Sequence, residues 1–276
     1  MKMFIIGGGF NGQLLHHLFP RARCFDWRPT PPKTAARQLG PQYLWEPIPG
    51  LGHRSFSVFT TIDGEEATKE SILAYKRKVG KEQDSGDWRA QFQPKMTGYE
   101  PMLPPDRVEY GMRITKIDPI SKNMHMAHGD VMHYDWILST IPLDAMAQLV
   151  GIRRMEPPLV SRPIFVWTEE PLPDECSNEF MLVDYISDPS KLHYRETYRD
   201  RKWHLETLDA SCIPNGAAAN RILPGKIYHS DSAEAVREAL LTHGIKTFGR
   251  FASWHPDELA HETFKLAAEW RQQNDF

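Results

Sequence analysis

The chain is poor in the features that mark several large protein classes. Only three cysteines, Cys24, Cys176 and Cys212, occur in 276 residues. They lie far apart without C-x-x-C spacing, which argues against a disulfide framework and against a thiolate zinc site. No apolar run approaches the roughly 20 residues that span a bilayer, and the run at residues 3–6 is too short for the apolar core of a signal peptide. Neither sign of charge is in excess: 33 basic against 36 acidic residues leave a net charge of −3. No global field therefore favours nucleic acid or a membrane surface, and only a local patch stays open. The H-E-x-x-H, G-x-S-x-G and P-loop patterns are absent, so hydrolase and kinase readings have no support. There is no internal repeat or low-complexity tract. The expectation is a soluble, cytoplasmic protein, built as one large domain or as two lobes sharing a sheet.

What is present begins at the amino terminus. A short apolar run, Met3 to Ile6, leads into Gly7-Gly8-Gly9-Phe10-Asn11-Gly12 and then Leu14, Leu15, Leu18 and Phe19 at helical spacing. This reads as strand, tight turn and helix. Gly7, Gly9 and Gly12 fit G-x-G-x-x-G, and Asp26 follows Gly7 by 19 residues at the end of a second strand-like run. In such a unit the first glycine makes the turn, the second lets a pyrophosphate approach the backbone, and the third packs helix on strand. The helix N-terminus offers free N–H groups to phosphate. A carboxylate at Asp26 suits the hydroxyls of an adenosine ribose and would repel a 2′-phosphate. Dinucleotide binding follows, with a plain structural turn as the alternative.

Beyond Asp26, Pro29, Pro31 and Pro32 force an extended loop. Residues 40–50 mix turn formers with Tyr43 and Trp45, as in a pocket wall or a loop anchored to the core. A helix is expected over 66–79, and 81–105 reads as polar and irregular, a candidate lid. Strand-like runs cover 107–117 and 124–132, then 136–143 reads as a buried parallel strand. Further strands are expected at 162–167, 180–186, 202–208 and 226–229. A helix starts near Ser230, with Ala233, Val236 and Leu240 on one face and Gly244 as its stop. A last helix runs from Pro256, burying Ala260, Phe264 and Ala267.

Taken in order, these pieces resemble the FAD-binding superfamily of amine-oxidase-like and UDP-galactopyranose-mutase-like flavoproteins. Ile114 matches the adenine-contacting position of the returning strand, and Thr140-Ile141-Pro142 matches the Thr-x-Pro strand end near the flavin. Gly249-Arg250-Phe251-Ala252-Ser253-Trp254 is similar to the carboxy-terminal Gly-Arg-x-Gly-x-Trp signature, with Ala252 in place of a glycine. Gly40 to Trp45 resembles the mutase segment Gly-Pro-His-x-Phe-His, with Gln42 and Trp45 where the histidines stand. The second glycine pair that normally follows the ribose acid is missing, leaving Arg28, Thr34 and Arg37 as phosphate contacts.

The resemblance implies an α/β fold: a Rossmann-like, glutathione-reductase-type FAD-binding domain with a small, abbreviated β-rich substrate lobe. The former takes 1–60, 106–150 and 224–276, and the latter, with the lid, 61–105 and 151–223. FAD would be held by Gly7, Gly9, Phe10, Asn11, Gly12, Asp26, Arg28, Trp45, Ile114, Thr140, Pro142, Gly249, Arg250 and Trp254. Trp254 reads equally as core packing. The basic stretch around residues 191–204 resembles the strand that lies over the flavin in amine-oxidase-like relatives. There Arg195 would fix a carboxylate or phosphate and Tyr194 would stack, with His255 as a proton carrier. Gln42, Tyr43, His193 and Arg199 complete the expected substrate contacts, and a solvated, charge-rich hairpin is the bland alternative.

Three functions remain open at this point. One is an FAD-dependent oxidase or lyase acting on a C–N bond of an amine or amino-acid-like group. Its specific form resembles small bacteriophage flavoenzymes that tailor amino-acid-bearing thymine bases in DNA, with the basic hairpin gripping phosphates. The second is a redox-neutral mutase of nucleotide sugars, and the third a non-catalytic flavin-binding module.

Overall fold

A computed structural model describes residues 1–30, 43–80, 92–103, 107–152, 155–169, 180–274 and 276. Within them, five short strands form a wholly parallel sheet: β1 (Met3–Ile6), β2 (Arg23–Asp26), β5 (Val108–Tyr110), β9 (Trp136–Ser139) and β15 (Ile245–Thr247), in the order β15-β9-β1-β2-β5. Helices cover both faces, so β1 is buried along its whole length. This explains why it reads as an unbroken apolar run. Met3 and Ile5 face a core shared with Leu15, Phe19 and Trp270, which lie on or beside α1 (Phe10–Leu18) and the last helix, α6 (Ala260–Gln273). Phe4 and Ile6 face the opposite core, built with α3 (Leu143–Val150) and α4 (Ser232–Thr242). An antiparallel meander of β6 (Ile114–Asp118), β7 (Asn123–Met126) and β8 (Val131–His133) adds Ile117, Met124 and Met126 to that core.

The second sheet has seven strands in the order β14-β10-β13-β12-β11-β3-β4. They are β3 (Gly52–Ile62), β4 (Lys95–Met102), β10 (Ser161–Glu169), β11 (Phe180–Tyr185), β12 (Arg195–Arg199), β13 (Lys202–Thr207) and β14 (Asn220–Ile227). All pairs are antiparallel except β3 with β11. Helix α2 (Lys69–Lys78), capped by Thr68 through the Ser71 N–H, brings Tyr75 against Tyr185.

Several boundaries differ from the sequence reading. Residues 107–117 are two strands, because Gly111 at φ +76° turns the chain between them. Residues 124–132 are likewise divided by a turn through Gly129 at φ +100°. The run at 136–143 leaves the sheet after Ser139 and starts α3 at Leu143. The expected strand at 226–229 belongs to the end of the longer β14. Residues 95–102, read as part of an irregular lid, form β4 along the edge of the second sheet. Residues 52–60, read with the FAD-binding lobe, pair into that same sheet.

The core on the α4 side predicts a measurable stability cost. Leu240 is fully buried there among Val236, Met146 and Ile245. Leu240→Ala should lower unfolding free energy by about 2–5 kcal/mol, read by urea denaturation.

Candidate functional site: a glycine turn facing a charged sheet rung

β1 ends at Ile6 and the chain turns through Gly7 at φ +106°, a conformation that favours glycine. A Cβ at Gly7 would also lie 2.5 Å from Thr140 Oγ1. That hydroxyl donates toward the Gly7 carbonyl at 2.9 Å and the Ile6 carbonyl at 3.2 Å, so Thr140 pins the turn from below. Gly12 lies so close that a Cβ would fall 1.8 Å from the Gly7 carbonyl oxygen. At Gly9 the opposite holds: a Cβ would meet nothing within 4 Å. No side chain caps α1, whose first N–H groups open beside this gap. Phe10 packs its ring toward Leu14 and Leu44.

Asp26 ends β2, buried, beneath the same turn. Its carboxylate accepts the Gly8 N–H at 2.9 Å, and the Arg28 backbone N–H and Nε at 2.9 Å each. Burial alone would raise its pKa, but the Arg28 bonds outweigh this and hold it below the ordinary value. Arg28, expected at a phosphate, is thus folded back onto the ribose acid. Ile114 is partly buried against the core of the meander, opposite Met126, and Pro142 is the residue before α3.

The carboxy-terminal Gly-Arg pair reaches this turn. Gly249, at φ +96°, lies where a Cβ would fall 2.3 Å from Asn11 Nδ2. Glu258, buried, holds it there by accepting the Gly249 N–H at 2.8 Å, the Thr263 hydroxyl at 2.8 Å and the Ser253 hydroxyl. Four residues, Arg250–Ser253, form the short helix α5, and Trp254 then takes a left-handed conformation. Its ring is buried in the core with its Nε1 donating to the Tyr228 carbonyl at 3.1 Å, so Trp254 packs rather than walls a pocket. His255 is exposed. The last helix starts at Ala260 instead of Pro256, because residues 256–259 are used to bring Glu258 back under Gly249.

Arg250 has no hydrogen bond or ion pair on its guanidinium among the described residues. Burial, and then the nearby Arg195 charge, lower its pKa. Arg195 arrives from the second sheet. A two-residue turn at Asp200 and Arg201, with φ of +50° and +61°, sets the β12–β13 register and places Arg195 opposite Glu206. On the other side Arg195 pairs with Tyr185, which pairs with Ile62. Ile62, Tyr185, Arg195 and Glu206 therefore form one rung, all on one face. Arg195 Nε donates to Glu206 Oε1 at 3.0 Å, with a second bond from Nη2, and the Tyr194 hydroxyl donates to Oε2 at 2.7 Å. Burial opposes the charge on Arg195, yet Glu206 keeps its pKa well above the ordinary value. A third of the Arg195 side chain (33%) stays accessible, against 4% for Glu206.

Tyr43 is close to this rung. Burial, followed by Tyr185, raises its phenol, while Arg195 and a side-chain hydrogen bond from Trp45 act the other way. Leu44 bridges Tyr99 in β4, and Leu44 and Ile48 pack with Leu14 and Phe264. The aromatic segment is both anchored and turned toward the charged rung. Gln42 lies outside the described residues, as do Thr34 and Arg37. His193 pairs with Glu196 at 2.5 Å. Arg199 is buried, its guanidinium 3.5 Å from the Phe56 ring centroid and 3.3 Å from Glu100. The hairpin is therefore charge-matched at His193, Arg195 and Arg199. Sequence reasoning missed Glu206 and Glu258. The Asp200-Arg201 turn was a usable signal for the first, whereas Glu258 resembles any acid before a helix.

No protein-family model matches the sequence, and no curated protein matches it. Among solved structures, a reduced UDP-galactopyranose mutase superposes with a TM-score of 0.66 at 13% identity, covering 100% of this chain and 96% of that one. A fatty acid isomerase from P. acnes gives 0.56 at 11% identity over 99% and 98% of the two chains. L-proline dehydrogenase from P. horikoshii gives 0.53 at 9%, covering 99% and 93%. The chain shares the fold of these solved structures. Residues expected at FAD from both ends of the chain, Gly9, Asn11, Gly249 and Arg250, are neighbours in it. The open space at Gly9, the uncapped helix and the unpaired Arg250 all fit an anionic dinucleotide.

Two expectations follow. Gly9 has φ −71° and ψ −173°, which any residue adopts, so Gly9→Val should fold normally yet bind FAD about 100-fold more weakly, about 2.7 kcal/mol, by fluorescence titration. Because the folded Asp26 pKa lies below 3.8, its contribution to stability is present above that value and is lost as pH falls through the lower one. Asp26→Asn should accordingly cost stability near neutral pH and little in strong acid, by urea unfolding at both.

Proposed function

We propose that this chain is an FAD-dependent enzyme, an oxidoreductase or lyase, acting on a C–N bond of an amine or amino-acid-like group. The observation that carries the reading is the meeting of Arg195 and Arg250 at the glycine turn. One has a side chain a third exposed on a sheet rung; the other has no hydrogen bond or ion pair on its guanidinium among the described residues and follows Gly249, which packs on Asn11. Phe10, Asn11 and Gly12 would offer backbone N–H groups to the pyrophosphate. Asp26 would take the ribose hydroxyls once Arg28 moves to the phosphates. Bound FAD supplies hydride acceptance. The chain's own part is to bind and orient: Arg195, whose Nε and Nη2 donate to Glu206, holds a substrate carboxylate through its remaining N–H groups. Tyr43 and Tyr185 supply an aromatic, water-poor wall beside it.

The mutase reading needs two arginines on one diphosphate. Arg195 and Arg199 share a face, but at about 3.3 Å per residue they stand about 13 Å apart, and Arg199 is occupied by Phe56 and Glu100. The hairpin's internally matched charges leave DNA gripping out of the proposal.

Purified protein should be yellow, and its flavin should bleach anaerobically with an amino acid or an amino-acid-bearing nucleoside. Bleaching by the nucleoside alone would favour the modified-thymine substrate; UDP-galactose binding without bleaching would favour the mutase. A flavin silent to all three would leave a binding module. Arg195→Lys, which keeps Glu206 paired, should retain FAD but raise the amino-acid KM about tenfold, about 1.4 kcal/mol, as the bidentate fork is lost. An unchanged KM would remove Arg195 from the site.

A further inference from the structure

Resting on the C–N reading above, we propose that His204 takes the ammonium proton of an α-amino-acid substrate whose carboxylate is held by Arg195. Amine oxidation requires a nitrogen lone pair, and an amino acid in neutral water carries a protonated amine. A site that fixes the carboxylate therefore needs a base within reach of the nitrogen.

The sheet places one there. His204 and Glu206 are two residues apart on β13 and share a face. Arg195 is opposite Glu206 and Thr197 is opposite His204, so Arg195 and His204 are diagonal neighbours with Cβ atoms about 7–8 Å apart. An α-amino acid, with one carbon between its carboxylate and its amine, fits between two such side chains. His204 is only 7% exposed, and its Nδ1 has no hydrogen-bond partner among the described residues. A buried polar atom left unpaired is costly, and ligand binding is one of the reasons for such an atom to persist.

The surroundings keep the imidazole neutral. Burial is the largest influence and lowers its pKa; Glu206 and Asp200 raise it, and Lys202 and Arg195 lower it. From β10, the residue opposite is Thr168, which adds no charge. In the proposed step an N–H bond of the ammonium breaks and a bond forms from that proton to Nδ1. The lone pair stays on the substrate nitrogen, and the positive charge passes to the imidazole beside Glu206.

The experiment follows anaerobic bleaching of the FAD-loaded protein by glycine and L-alanine from about pH 5 to about pH 9. Wild type should lose rate on the acid side with a midpoint below about 6.5. His204→Asn should be about 100-fold slower near neutral pH, with its remaining acid limb moved up toward the amine's own ionisation. Propionate, which has a carboxylate and no amine, should perturb the flavin absorbance of both proteins with the same affinity. A variant that keeps the wild-type rate and limb overturns the assignment while leaving the C–N reading in place. Loss of propionate binding in His204→Asn also overturns it, because the role is then structural. If neither amino acid bleaches wild type, the assignment of His204 falls, and the C–N reading falls with it unless the amino-acid-bearing nucleoside bleaches the flavin. Retained FAD absorbance checks folding, with His204→Gln replacing a variant that fails it.

Discussion

Helix α1 can sit against the end of β1 only because Gly12 has no side chain. A methyl group there would fall 1.8 Å from the Gly7 carbonyl oxygen, far inside any tolerable contact. The rest of the site depends on that approach. It aims the helix N-terminus at the space over Gly9, it leaves Thr140 free to bond the turn from below, and it puts Asn11 where Gly249 can meet it. Gly249 is in turn limited to glycine by both its backbone angle and that neighbour. Four glycines and a threonine from distant parts of the chain thus define one small volume.

Charge is handled differently on the two sides of that volume. In the second sheet Glu206 neutralises Arg195 and ties down Tyr194, so the rung is satisfied without a ligand. At the glycine turn, Asp26 is satisfied by the Gly8 N–H and by Arg28 folding back on it, and Arg250 has no hydrogen bond or ion pair on its guanidinium among the described residues. A cation that remains desolvated and unpaired is unfavourable, and an incoming anion relieves it. The parallel-sheet lobe is therefore the one with unmet electrostatic demand, whereas the antiparallel sheet satisfies its own charges at Arg195 and Glu206.

Much of the first lobe was legible because its signals are local. The glycine spacing, the apolar residues after it, and the acid at the end of β2 all lie within 26 residues, and each has one physical meaning. Ala233, Val236 and Leu240 likewise repeat at helical spacing and are all buried. In the second sheet β10, β11 and β13 were legible as strands, whereas β12 was read only within a basic hairpin and the sheet's edge was not legible. In β3 the buried residues Phe56, Val58, Thr60 and Ile62 alternate as they should, diluted by His53, Arg54 and two serines. In β4 the residue facing Phe56 is Gly98, where a Cβ would strike the ring at 2.8 Å. A position that packs by lacking a side chain leaves little hydrophobic pattern to read. The start of α6 was misplaced for a related reason: Pro256, Asp257 and Glu258 have helix-start chemistry, but a tertiary bond to Gly249 claims Glu258 first.

The order of strands in the parallel sheet has a consequence for how the protein is made. β1 is flanked by β2 on one side and by β9 on the other, and β9 is closed by β15 at residues 245–247. β1 is thus paired with a strand far along the chain, β9 at residues 136–139, and β9 in turn with β15. Pairings so distant in sequence make assembly slow, and the apolar β1 stays unpartnered on one edge until β9 is in place. Until Gly249 follows β15 into place, the cradle has no roof.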